Sequence, residues 1–123
     1  DIGTLAAEIK KDSILKDKNI VKVNTKEKLN DKNFSEALNF FRENLSTKYL
    51  NVYHHIGIYI YKVSILEKFI NFEQTKNEIK NRLEQLRALD NNIKIKVGLA
   101  KFAPIGVDTK EDFLAIKKIM EYK

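Results

Sequence analysis

Apolar residues along this chain recur with two periods. Ile20-Val21-Lys22-Val23-Asn24 alternates and is rich in β-branched side chains, which predicts a strand. Ala37-Leu38-Asn39-Phe40-Phe41-Arg42 is a second strand candidate, expected to pair with the first as an antiparallel ribbon across a polar connection. The strongest strand pattern covers residues 53–61. Its even positions, His54, Ile56, Ile58 and Ile60, read as the packed face. Its odd positions, Tyr53, His55, Gly57, Tyr59 and Tyr61, carry a polar handle or no side chain, so the opposite face should be lined with imidazole and phenol. Residues 93–100 alternate cleanly and predict a half-exposed strand.

Helical periods follow three capping-box patterns, in which a hydroxyl accepts from an orphan backbone N–H and a carboxylate reaches back to the cap. Ser64 and Glu67 precede Phe69 and Ile70; Thr75 and Glu78 precede Ile79, Leu83, Leu86 and Leu89; Thr109 and Asp112 precede Phe113, Ile116 and Met120. Residues 4–9 read as a short helical or extended lead-in, 12–19 as turn-like and 25–35 as a loop. The order strand, strand, strand, helix, helix, strand, helix predicts an α/β fold, a mixed sheet with flanking helices.

At 123 residues the chain is one domain's worth of sequence, and 43% hydrophobic with 33% charged residues suits one modest core. It opens on Asp1 rather than Met, so it is expected to be a piece of something longer, placed in a reducing cytoplasm. The absence of Cys excludes disulfide frameworks, thiolate zinc sites and Cys nucleophiles. No apolar run approaches the ~20 residues of a membrane span, and no membrane partner is expected. Net charge is +6, but of the 23 basic residues only Arg42, Arg82 and Arg87 are arginines, and the lysines are scattered among acids. That pattern fits compositional bias better than a nucleic-acid footprint, which clusters charge and favours Arg. A small basic nucleic-acid-binding domain is therefore the minor alternative.

Several residues have the chemistry of a site. His55 and Tyr59 flank Gly57 on one strand face, either as the walls of a hollow for a small polar ligand or because Gly57 marks close packing or a bulge. Glu84, Gln85 and Arg87 lie between core leucines; Glu84 and Arg87 are spaced for an ordinary helix ion pair, or Glu84 and Gln85 face sugar hydroxyls. Arg42 offers a carboxylate-matching fork, or snorkels over Phe40 or Phe41. Thr109 suits the cap of the last helix, which frees Asp108 to cap or to hold a hard cation such as Mg²⁺.

In series, His55-x-Gly57-Ile58-Tyr59-x-Tyr61, Leu83-Glu84-Gln85-Leu86-Arg87 and Gly106-Val107-Asp108-Thr109-x-Glu111-Asp112 resemble one family, the 3-deoxy-manno-octulosonate (KDO) cytidylyltransferases, or CMP-KDO synthetases. Thr4-Leu5-Ala6-Ala7, Asn19-Ile20-Val21-Lys22-Val23, and Ala37-Leu38 with Phe40 and Arg42 extend the likeness over essentially the whole chain. Phe41 stands where the family has Ser, Leu45-Ser46 where it has Ile-Pro, and Lys76 where it has Pro.

The resemblance implies that residues 1–123 form a single partial domain, the C-terminal half of a nucleotide-diphospho-sugar-transferase-like fold that binds KDO and dimerises. The implied reaction is CTP + KDO → CMP-KDO + diphosphate, in lipopolysaccharide biosynthesis, with Mg²⁺ as cofactor. By carry-over, Arg42, His55, Tyr59, Glu84 and Gln85 would bind KDO and Asp108 would hold the metal. CTP would be held by an N-terminal half, in cis or in trans; no Gly-rich phosphate cradle occurs here, since Gly3, Gly57, Gly98 and Gly106 are isolated. Such a half is expected to be inactive alone, to form a homodimer when complete, and in isolation to expose a sheet edge and an apolar face. The rival reading is a non-catalytic remnant of the same fold.

Overall fold

Alternating segments supply strands β1 (Ile2–Ala7), β2 (Lys22–Thr25), β3 (Ser35–Phe41), β4 (Val52–Tyr61) and β5 (Ile95–Ala100). Between and after them lie helices α1 (Asp12–Lys16), α2 (Val63–Ile70), α3 (Lys76–Asn81), α4 (Gln85–Asp90) and α5 (Lys110–Glu121). The structure, a computed structural model, describes residues 1–43, 50–103, 106, 107 and 109–121. The lead-in is thus extended, and the turn-like stretch after it holds a short helix.

The mixed α/β sheet expected from the sequence is present, and it closes on itself. Its strands run β1-β4-β2-β3-β5 around a barrel. β5 is parallel to β1, and every other pairing is antiparallel. The anticipated ribbon forms, with Lys22 opposite Phe41 and Val23 opposite Phe40. Closure corrects the expectation of an open sheet edge: β3 and β5 meet through Ser35↔Val97 and Glu36↔Lys96. At that seam Phe34 lies across β5 where Gly98 has no side chain; a Cβ there would stand 2.6 Å from the ring. Ile2, Ala6, Val23, Phe40, Ile95 and Val97 fill the interior, joined by Phe69 of α2 and by Leu83, Leu86 and Ala88 around α4.

Ile56 of β4 is buried as the sequence predicts, but the rest of the strand departs from that expectation. Tyr53 and His55 are buried and Tyr59 and Tyr61 pack against the core, whereas Ile58 and Ile60 are 58% and 75% exposed. A bulge interrupts the strand. Thr4 pairs with Tyr59 but Leu5 pairs with Ile56, so Gly57 and Ile58 are surplus on β4. Two surplus residues preserve parity, so Tyr53, His55, Tyr59 and Tyr61 share the inner side on either side of the exposed Gly57. Alternation alone cannot tell which side of a strand faces inward when one set is aliphatic and the other aromatic; here the larger rings fill the barrel.

The helices also depart in detail. Thr75 and Glu78 form the expected capping box. Thr109 and Asp112 exchange the reciprocal pair of bonds too, each 3.1 Å. Ser64 does not cap α2, which starts at Val63 with Lys62 in the cap position and no side-chain cap bond. The single helix expected from Thr75 to Leu89 breaks at Arg82, which adopts left-handed geometry at φ 54°. The break lets Leu83 and Leu86 enter the core while Ile79 stays outside. It also reassigns the ion pair. Arg87 turns to Glu78 rather than Glu84, with Nε and Nη2 donating to the two carboxylate oxygens at 2.8 and 2.5 Å. Its guanidinium stacks 4.9 Å from the Phe69 ring centroid. Among the described residues, no helix is long and apolar enough to cross a membrane.

Both side chains of the Glu78–Arg87 pair are largely buried, 6% and 13% exposed, so removing one partner strands the other. We expect Glu78→Ala to cost about 3 kcal/mol in urea unfolding. The Arg87 hydrogen bonds hold the Glu78 carboxyl below its ordinary value. A folded pKa below the unfolded one means the contribution is present above the unfolded carboxylate range and lost as pH falls through the folded value. Glu78→Gln should therefore flatten the acid limb of the stability profile; an unchanged limb would refute the pairing.

Candidate functional site

Strand β4 carries two of the candidate residues across its bulge. His55 is buried, 8% exposed, with its ring edge-on to Phe40 at 5.0 Å and tilted against Tyr59 at 5.5 Å. Its Nε2 lies 2.9 Å from the Thr4 hydroxyl on β1. Burial, with His54 adding, pushes the imidazole down to about 4, so it is neutral at pH 7. Tyr59 is half-buried; desolvation foremost, then Tyr61 and Glu84, push its phenol upward. It therefore keeps its proton and can donate it. Gly57, between them, is exposed with nothing within 4 Å of a built Cβ, so it admits no helix and serves the bulge.

The left-handed turn at Arg82 brings the second set near. Glu84 is exposed at the start of α4, and Gln85, half-buried, opens that helix. Glu84 lies within electrostatic range of Tyr59, Tyr61 and Arg87. Arg42, at the end of β3, reaches the same turn, with Nη2 donating to the Arg82 carbonyl at 3.3 Å. An open cleft of 540 Å³ on this side is lined by Gln74, Glu78, Ile79, Arg82, Leu83 and Glu84. Only Glu84 of the candidates lies on its wall, so the cleft does not contain the His55–Tyr59 pair. His55 and Tyr59 are in ring contact, Glu84 acts on Tyr59 through its charge, Arg42 reaches the turn before Glu84, and Gln85 is linked through chain adjacency.

Two residues that sequence reasoning passed over support this set. Thr4 sits beneath His55. Lys22, fully buried, donates to the carbonyls of Asp17 and Arg42, both at 2.5 Å, and so ties the backbone of Arg42 in place. Desolvation holds its ammonium below the ordinary lysine value. The signal for Lys22 was a lysine within an otherwise apolar strand; nothing in the pattern marked Thr4.

Asp108, the expected metal ligand, lies outside the described residues, as do Pro104, Ile105, Leu45 and Ser46. Among the described residues no three His, Cys, Asp or Glu side chains are grouped to hold one metal ion.

Comparison with known proteins gives a consistent context. The family model described as Cytidylyltransferase matches residues 1–95. The chain is 40% identical over 120 residues to the 3-deoxy-manno-octulosonate cytidylyltransferase of Bartonella tribocorum, covering 98% of this chain and 49% of that protein. It is 41% identical over 128 aligned residues to the protein of that name from Thermodesulfovibrio yellowstonii, covering 97% and 48% respectively. The chain spans about half the length of the curated relatives it matches. A solved structure of CMP:2-keto-3-deoxy-manno-octonic acid synthetase complexed with CTP superposes with a TM-score of 0.78 at 24% identity, over 98% of this chain and 49% of that one. At that identity the likeness is one of fold.

The buried imidazole yields a direct test. In an NMR titration His55 should stay neutral until the pH approaches about 4, well below an ordinary histidine at 6.5. Between those values the unfolded chain binds the extra proton, so His55 should make stability fall as pH drops through that window. A His55 midpoint near 6.5 would show that the ring is not enclosed as described.

Proposed function

The chain belongs to the cytidylyltransferase family, and on that footing we propose that it is the KDO-binding, C-terminal half of a 3-deoxy-manno-octulosonate cytidylyltransferase. The observation that carries the reading is the approach of two sets of side chains from distant parts of the sequence. The rings of His55 and Tyr59 touch at 5.5 Å, Glu84 acts on Tyr59 through its charge, and Arg42 bonds the carbonyl of Arg82, two residues before Glu84. This is the mix an acidic sugar requires. A guanidinium suits the carboxylate, and a neutral imidazole, a protonated phenol, a carboxylate and an amide suit the hydroxyls.

In this proposal these residues bind and orient KDO so that its anomeric hydroxyl attacks the α-phosphorus of CTP. An O–P bond forms, the bond to the β-phosphate oxygen breaks, and diphosphate leaves with the hydroxyl proton released. Catalysis of that displacement is mostly placement and charge stabilisation. The CTP-holding groups, and with Asp108 the oxygens around Mg²⁺, would belong to the remainder of a relative-length protein and to residues not described here. Mg²⁺, when bound, would neutralise phosphate charge. The product would serve lipopolysaccharide biosynthesis in a reducing cytoplasm. Assembly into a homodimer is supported by α5, which buries none of its residues and leaves Phe113, Leu114, Ile119 and Met120 about half exposed or more.

Calorimetric titration of KDO into the whole chain tests the sugar assignment. Saturable binding is expected, about tenfold or more weaker in Arg42→Ala and lost in His55→Ala with circular dichroism unchanged. Diphosphate release from CTP, KDO and Mg²⁺ should require the other half of the protein. Turnover at an ordinary rate from this chain alone would refute the half-enzyme reading, and absence of KDO binding even with that half supplied would favour a remnant.

A further inference from the structure

The hydroxyl of Thr4 has three polar neighbours: the carbonyl oxygen of Ile58 at 2.8 Å, that of Ile56 at 3.2 Å, and Nε2 of His55 at 2.9 Å. A hydroxyl has one proton to give and two lone pairs to accept with. Both carbonyls belong to the β4 bulge and can only accept. Were the Thr4 proton given to Nε2, two carbonyl oxygens would face the hydroxyl's lone pairs at hydrogen-bonding distance with no hydrogen between. The proton therefore serves the bulge, and Nε2 must be the donor to Oγ1. A neutral imidazole carries one N–H, so Nδ1 is left as a bare acceptor. Among the described residues no hydrogen bond reaches Nδ1, and the one buried side-chain polar atom without a partner is Asn24 Oδ1. Nδ1 is thus not a sealed, unpartnered atom.

We propose that Thr4 is a positioning residue that locks His55 as its Nε2–H tautomer, so that Nδ1 meets the ligand strictly as an acceptor. Such a nitrogen takes a hydrogen bond from a sugar hydroxyl and repels a carboxylate oxygen. The two ends of an acidic sugar would then be told apart, with Arg42 drawing the carboxylate and His55 admitting only a hydroxyl. This assignment rests on the sugar-binding reading above for its ligand, and on geometry alone for the tautomer.

The test is long-range ¹H–¹⁵N NMR of the imidazole in the whole labelled chain, with and without KDO. Wild type should show a protonated-type Nε2 and an unprotonated-type Nδ1, and KDO should shift Nδ1 while leaving Nε2 in place. Thr4→Ser should keep that spectrum and bind KDO within about threefold of wild type. Thr4→Val removes the acceptor at Nε2, so the proton should move to Nδ1, and KDO affinity should fall about tenfold for the lost hydrogen bond. A wild-type Nδ1–H form, an unchanged tautomer in Thr4→Val, or KDO binding without a change at Nδ1 would overturn the proposal. If the tautomers behave as stated and KDO does not bind at all, the sugar reading fails while the Thr4 lock stands.

Discussion

One hydroxyl group sits where the barrel is hardest to build. β4 has two residues more than β1 can match, and the carbonyl oxygens of Ile56 and Ile58 lie at the resulting bulge. Thr4 donates to those oxygens and also lies against His55. It thereby couples the irregularity in the longest strand to the ring that most resembles a ligand contact. Burying a free carbonyl typically costs about 1–3 kcal/mol, so the bulge and the threonine depend on each other. With the bulge held, Tyr53, His55, Tyr59 and Tyr61 all stay on the inner side, and the aromatic series runs from Phe40 to Phe69.

The features that the sequence made legible are those written in local chemistry. Thr75 with Glu78 and Thr109 with Asp112 are capping boxes because the residues that satisfy the orphan N–H groups are three apart in the chain. The pairing of β2 with β3 followed from two β-rich runs joined by a polar connection. What escaped was decided over long distances. The orientation of β4 depends on how β1 registers against it, some 50 residues away. The break at Arg82 runs against local preference, since a non-glycine residue in left-handed geometry is normally unfavourable; burial of Leu83 and Leu86 offsets it. The same break made Glu78, not Glu84, the partner of Arg87, which spacing on an unbroken helix could not foresee.

For the site, residue type was legible and support was not. Arg42, His55, Tyr59, Glu84 and Gln85 announced themselves as groups suited to an acidic sugar, and the family likeness ordered them. Lys22 and Thr4 carry no such announcement. A lysine in a strand reads as solvent-facing until its two carbonyl partners are seen, and a threonine in a strand reads as ordinary. Both act through other residues, one on the backbone of Arg42 and one on the ring of His55. Supports of this kind arise from tertiary packing, where single-sequence patterns have little to say.

The parallel pairing of β1 with β5 has a consequence for biosynthesis. Residues 2–7 take residues 95–100 as direct neighbours, so the seam between β1 and β5 cannot shut until the whole stretch between the two strands, and β5 itself, has been made. Until then β1 has only β4 as a partner and its other edge stays open in a crowded translation environment. Nascent chains stalled before Ile95 should accordingly be clients for chaperones, whereas those extended past Ala100 carry every strand of the ring.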